Sequence, residues 1–397
     1  MCSCFEEYLS LFYLFSMARV LLTSIILIIV CSLFVSCFKT NNLMLTTSHD
    51  SLTISPNTTY LSFAAYTDKA GNLFYSLYDE YDSTIKIINI KSKVSKSVKV
   101  PFSNRIEVEN PLKDYIIHNF DSIFLQHHYQ ISIIDTSGKI KYEYLINAPF
   151  SDTFPDTIRN SLGSLFSMYY NEISKELYLR QYSGKYYSWS KGYYSIPVEA
   201  VFKLRDSLFK DVAIYYPNKY QQNYYGDLNN VYHTVAGKND IFSFEADENI
   251  YILNKENGKI SKNSCKSTFD TSDVQPLSTK YKDDINKRID HLTVSPCYLK
   301  ILYDPYRKLY YRFFSAAVPL RNKNGTYNTH ADKELYLMVL DNKFNLLKEY
   351  PLKNNEWYWS FITEKGLYLQ RTLKGTVNQN TENGQQIIFD IFTFSLD

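Results

Sequence analysis

The feature that most constrains this chain is a hairpin that recurs along it. From Asn110 to Leu145 (NPLKDYIIHNFDSIFLQHHYQISIIDTSGKIKYEYL) short β-runs follow one another with only turn residues between them. Tyr129, Ile131 and Ile133 fall on one face of a period-2 strand, with Gln130, Ser132 and Ile134 on the other. Asp135 to Lys139 then turns the chain around Gly138, and Ile140, Tyr142 and Tyr144 alternate with Lys141 and Glu143 on the return, the pattern of a half-exposed edge strand. Variants recur as IKIINIKSKVSKSVKV from Ile85, IYILNKENGKISKNS from Ile250 and LYLMVLDNKFNLLKEY from Leu335. A meander that repeats means a repeat architecture, because one such sheet cannot bury both of its faces alone.

The expected fold is therefore all-β: a β-propeller, with six blades as the first choice and seven as the second. A pair of β-sandwiches or a long β-solenoid is the structural alternative. Taking the hairpin as the outer half of a blade places blades at about 51–101, 102–152, 153–217, 218–275, 276–352 and 353–397. The mean is ~58 residues against the ~40 to 50 of compact propeller repeats, so the excess is assigned to inter-strand loops, notably Ser183 to Pro197, Ser267 to Ile289 and Pro319 to Lys333. No amphipathic helical pattern persists beyond about two turns. The nearest candidate, SLGSLFSMYYNEISKEL, reads better as two strands around a Glu172–Lys175 turn. The last run, Gln386 to Leu396, stops where other blades turn into a fourth strand, and Leu43 to Ile54 is expected to supply it and close the ring.

Residues 1–36 read as an address rather than as fold. Arg19 precedes an apolar run from Val20 to Val35, of secretory length and short for a spanning helix. Within residues 1–16 Glu6 and Glu7 stand ahead of a second apolar run, where a positive segment belongs, so Met17 is the expected true start. The run ends in Phe34-Val35-Ser36-Cys37, which resembles a bacterial lipobox, and Cys37 is the expected site of lipid attachment, carrying palmitate-type acyl chains. Residues 37–50 are then a lipidated tether and closing strand, and 51–397 the propeller domain. The tether lacks acidic residues after Cys37, which favours the outer membrane facing the periplasm. Processing leaves Cys265 and Cys297 as an even pair, either bridged or held as two separate buried thiols.

Taken together, the lipobox, a mature region of roughly 360 residues and meanders ending in patterns such as SIIDTSGKI resemble the propeller-like lipoproteins of Bacteroides and its relatives that carry domains of unknown function. The resemblance implies a six- or seven-bladed propeller on an envelope membrane and carries over no catalytic residue.

No activity can be read from motifs. A net charge of +2, with 43 Lys+Arg against 41 Asp+Glu, excludes the basic footprint of a nucleic-acid binder. There is no G-x-S-x-G, P-loop, dinucleotide fingerprint or H-E-x-x-H. His127 and His128 are adjacent on a strand and point apart, while His118, His233, His291 and His330 are isolated in sequence and read as rim or edge residues, so neither a metal nor a cofactor is expected. Acidic pairs such as Asp79/Asp82 and Asp283/Asp284 match solvated turns as well as they match glycosidase carboxylates. Ser51, Ser83, Ser122, Thr157 and Ser207 fit a three-residue O-glycosylation pattern, with Ser51, Ser83 and Ser207 preferred over a strand-borne Ser122. Gln181 to Ile196 (QYSGKYYSWSKGYYSI) gathers Tyr186, Tyr187, Trp189, Tyr193 and Tyr194 among small residues, which suits stacking on a sugar or an extended peptide. Two readings follow. One is a monomeric, membrane-tethered binding module for a glycan, peptide or envelope protein; the other is a periplasmic hydrolase or lyase with carboxylates in the propeller funnel.

Overall fold

The computed structural model describes residues 43–54, 60–101, 112, 114–127, 130–145, 153–155, 168–172, 174–183, 188–212, 214–353, 355–371 and 385–396. Leu45–Phe394 form one compact unit.

The described strands make six small sheets. After β1 (Leu43–Ile54), blade 1 is β2 (Tyr60–Thr67), β3 (Leu73–Asp79), β4 (Thr84–Asn89) and β5 (Ser95–Lys99). Blade 2 is β6 (Asp114–Asn119), β7 (Ser122–Gln126), β8 (Gln130–Ile134) and β9 (Ile140–Leu145). In blade 3 the inner strand is split into β10 (Thr153–Pro155) and β11 (Tyr169–Asn171), both antiparallel to β12 (Glu176–Ser183), followed by β13 (Glu199–Lys203) and β14 (Leu208–Asp211). Blade 4 holds β15 (Val231–Ala236), β16 (Asn239–Phe244), β17 (Asn249–Asn254) and β18 (Ile260–Ser264). Blade 5 holds β19 (Cys297–Asp304), β20 (Leu309–Ser315), β21 (Leu335–Leu340) and β22 (Leu346–Leu352). Blade 6 combines β23 (Asn355–Thr363), β24 (Gly366–Arg371) and β25 (Gln385–Leu396) with β1 on its outer edge, in the order β1-β25-β24-β23. This is a six-bladed propeller closed by its N-terminal strand, and the blade boundaries expected from the hairpin repeat agree with it.

Burial follows strand position. Middle strands are covered on both faces by neighbouring blades, so β8 (QISII) is buried at every residue. The outer strand β5 (SKSVK) buries only Val98. The apolar clusters lie between blades rather than within them. One joins Tyr78, Ile85 and Val98 of blade 1 to Tyr115, Ile117 and Leu125 of blade 2. Another joins Tyr75, Leu77 and Ile88 of blade 1 to Tyr368, Phe389 and Ile391 of blade 6, with Leu52 of β1 in the same cluster. Each such side chain contributes about 1.5–3 kcal/mol by leaving water, so the ring is held at its seams.

Antiparallel meanders put the connections at two ends. At one, turns of two to five residues join first to second and third to fourth strands. Many need left-handed backbone: Gly138, with φ +83, also lies so close to blade 1 that a Cβ would meet the Lys99 carbonyl oxygen at 2.8 Å. Every connection longer than five residues, apart from residues 156–168 inside the split strand, joins strand ends at the opposite end.

There the expected loops carry helices. Residues 265–296 include α2 (Ile285–Val294), preceded in the chain by the short α1 (Asn218–Gln222) between blades 3 and 4. The ten-residue α2 exceeds the two-turn limit read from the sequence. Its pattern is weak because its buried residues are His291 and Thr293, while Ile285 and Ile289 face solvent. Its start is fixed by Asp284, whose side chain accepts a hydrogen bond from Lys287 N.

Candidate functional site

At the long-connection end, a cleft of about 620 Å³ opens between the segment joining blades 3 and 4, the turn between β16 and β17, and the segment joining blades 4 and 5. That volume suits a small ligand. Tyr215, 46 % exposed, and Ile260 line it with apolar surface; Tyr216, Tyr251 and Tyr298 also face it. Asp247, Glu248, Asp270, Asp273, Lys219 and Lys262 supply its charge.

The cleft is organised from blade 5. Arg312 on β20 is fully buried and reaches into blade 4, where its guanidinium meets backbone carbonyls rather than a carboxylate. Nε donates to Ser243 Oγ (3.0 Å), Nη2 to Asp247 O (2.8 Å), and Nη1 to Cys265 O (3.2 Å) and Glu248 O. Burial pushes its pKa down, yet an arginine starts so high that it stays charged. The same guanidinium lies 4.1 Å from the centre of the Tyr298 ring. Tyr298 in turn accepts from Ser267 N (3.1 Å) and donates to Asp270 Oδ2 (2.8 Å). Burial raises the Tyr298 hydroxyl far above its usual pKa, so it remains a donor. Glu349 on β22 completes the support, accepting from Ser267 Oγ and Thr268 N (2.8 Å). On the cleft floor, Asp247 accepts from Asn249 N (3.0 Å) and Tyr251 OH (3.0 Å).

Of the aromatic stretch, Tyr193 and Tyr194 lie beside this cleft and are spent on packing. Lys191–Ser195 form a 3-10 helix in which Tyr193 and Tyr194 are buried, 7 % and 1 % exposed. Both rings pack on Tyr216, and Tyr194 also packs on Tyr220. Tyr193 therefore does not project as a stacking platform; its ring packs on Tyr216, which in turn packs on Phe244 of blade 4. Trp189 is half-buried, with Lys282 Nζ 4.9 Å from its ring centre. Tyr186 and Tyr187 fall outside the described residues, as do Cys37, Thr157 and His128. Ser51, Ser83 and Ser122 are partly exposed and Ser207 is exposed. Cys265 and Cys297 are both buried and free, so of the two alternatives the structure holds two separate thiols rather than a bridge. Cys265 Sγ lies 3.4 Å from Phe344 O, whereas Cys297 Sγ lies 3.5 Å from Lys333 Nζ, and burial raises both thiols above their usual pKa.

His233 is no rim residue. It sits between blades 3 and 4 with Nδ1 3.1 Å from Glu199 Oε1 and Nε2 3.4 Å from Asp240 Oδ1; Lys255 Nζ is 3.1 Å from the same Asp240 oxygen. Phe242 stacks on the imidazole at 4.5 Å, and Tyr169 and Tyr178 flank it. Burial lowers its pKa, but Glu199 and Asp240 more than reverse that and bring it to about 9. Its folded value thus lies above its unfolded one. The stabilisation is complete below about pH 6.5 and is lost as pH rises toward 9, on the order of 3 kcal/mol in all. Wild type minus His233→Gln in urea melts at pH 6 and pH 9 should show the wild-type advantage shrinking with pH; a constant difference contradicts it. The subtraction is needed because burial also brings Asp114 and Lys300 to about 7. Among the described residues no group of three His, Cys, Asp or Glu side chains is placed to hold a metal ion.

Six radial sheets, sealed by β1 and carrying one end of long connections around a cleft, define a six-bladed β-propeller. By sequence, the chain belongs to the DUF4221 family, a domain of unknown function whose model matches residues 35–351. A solved DUF4221 member from Bacteroides vulgatus is 20% identical with a TM-score of 0.70, covering 90% of this chain and 100% of that one. A second Bacteroides structure, from Bacteroides fragilis, is 14% identical with a TM-score of 0.51, covering 88% and 95%. These likenesses carry the fold and no activity. A search of curated proteins found no match.

Sequence reading missed Tyr215, Asp270 and Arg312. The excess length between Ser267 and Ile289 pointed to the right segment, but no local motif marks residues that meet only when two blades pack.

Proposed function

We propose that this protein is a lipid-tethered binding module of the bacterial envelope, whose ligand seats in the cleft between blades 3, 4 and 5. The observation that carries the reading is the cleft's support: a buried arginine, Tyr298 and Glu349 hold its wall in one geometry before any ligand arrives. Such preorganisation reduces the ordering cost of binding. The tether rests on Arg19, the Val20 to Val35 run and Cys37.

Two variants test the two halves. Cys37→Ala should abolish acyl labelling and membrane fractionation, and full retention on membranes would overturn the tether. Asn218→Trp places a large ring at the cleft from an exposed lining residue. A ligand at a hundred times its Kd adds about 2.7 kcal/mol, a shift of a few degrees in melting temperature. Compounds from fractionated envelope extract that raise the wild-type melting temperature should not raise that of Asn218→Trp. Equal shifts in both would move the binding site elsewhere.

A further inference from the structure

We propose that the cleft takes a neutral, hydroxyl-rich ligand, a short saccharide, recognised by the Asp270 carboxylate and the Tyr215 ring; this rests on the cleft being the binding site.

Asp270 is held by one of its two oxygens. Oδ2 accepts from Tyr298 OH at 2.8 Å, whereas Oδ1 is buried and has no hydrogen-bond partner among the described residues. A carboxylate oxygen withdrawn from water without a donor is costly, and native structures keep few of them. A small turn about the last side-chain torsion, which is soft for a carboxylate, lets a ligand donor serve this group while Tyr298 keeps its bond.

Charge decides which donor. The four lining carboxylates Asp247, Glu248, Asp270 and Asp273 are met by Lys219 and Lys262 in the lining, by Lys266, which Asp270 attracts most and which stands 3.3 Å from Asp273 and 3.8 Å from Glu248, and by the buried Arg312 guanidinium. Carboxylate and ammonium nearly balance, so neither an anionic nor a cationic ligand gains from long-range attraction. The remaining donor is a neutral hydroxyl. Tyr215 and Ile260, both well exposed, add the flat apolar surface on which the C–H face of a sugar ring rests. Tyr251, Asn218 and Asn249 add further neutral polar groups. Peptides also donate neutrally, but a short peptide brings charged ends, which gain nothing from this balance of charge.

The test is titration calorimetry on the full chain with three panels: neutral di- to tetrasaccharides, uronate-containing oligosaccharides and tetrapeptides. A neutral saccharide should bind wild type, with affinity reduced at least tenfold in Asp270→Asn and in Tyr215→Ala, both melting within 2 °C of wild type. The proposal is overturned if no neutral saccharide binds, if the tightest ligand is a peptide or a uronate, or if both variants bind as wild type does. Asn218→Trp separates the two readings. Loss of a non-saccharide ligand in that variant overturns the saccharide and keeps the cleft, whereas saccharide binding that survives it overturns the cleft.

Discussion

Arg312→Met is expected to cost about 4 kcal/mol or more and to lower the melting midpoint by roughly ten degrees, among the largest effects of any single substitution in this chain. Methionine fills much of the volume but leaves the carbonyls of Asp247, Glu248 and Cys265 without the donors they meet now. Buried acceptors that lose their partner carry the full penalty of desolvation. Arg312→Lys should recover little, because a single ammonium cannot span carbonyls on two segments as the planar fork does. The same substitutions should loosen Tyr298 and hence Asp270, so ligand binding and stability should fall together. Urea and thermal melts check this; a midpoint within 2 °C of wild type for Arg312→Met would show that the guanidinium network contributes nothing net.

Removing β1, so that the folded domain begins at Ser55, should be comparably severe. Leu52, 2 % exposed, leaves the cluster it shares with Tyr75 and Phe389, costing about 2 kcal/mol before any lost ladder hydrogen bonds. The twelve-residue β25 then becomes an open edge bearing Ile387, Phe389 and Ile391. Calorimetry should show a fall of ten degrees or more, with concentration-dependent association by light scattering. A synthetic peptide of residues 43–54 added in trans should restore part of the loss by pairing with that edge. An unchanged melt without β1 would mean that the seam between blades 6 and 1 seals the ring alone.

Much of this fold was legible because it is local. The period-2 runs from Ile85, Ile250 and Leu335 are the outer hairpins β4–β5, β17–β18 and β21–β22, and each turn between them is written in adjacent residues. The closing strand was legible by subtraction, as a blade one strand short. The cleft was not, because Arg312 and its acceptor Asp247 are 65 residues apart and meet only after two blades pack. Tyr193 and Tyr194 misled for a related reason: aromatic density looks alike in sequence whether the rings face solvent or, as here, Tyr216 and Tyr220. His233 looked solitary because Glu199 and Asp240 come from other strands.

The unequal ends of the ring leave the chain with two different mutational freedoms. At the tight-turn end, Gly71, Gly138, Gly237 and Gly258, together with Lys93, Lys175, Ser207, Lys308 and Phe344, hold left-handed backbone, so an inserted residue there would shift strand register and send core side chains to the wrong face. At the other end, a longer connection costs little, since doubling a loop adds only about 0.6 kcal/mol. Segments such as 271–296 and 316–334, beyond the supports at Cys265, Ser267, Thr268 and Asp270, can therefore change in length with little cost to the frame. A combinatorial library aimed at new specificities belongs in those two segments, with the turns of the opposite end held constant.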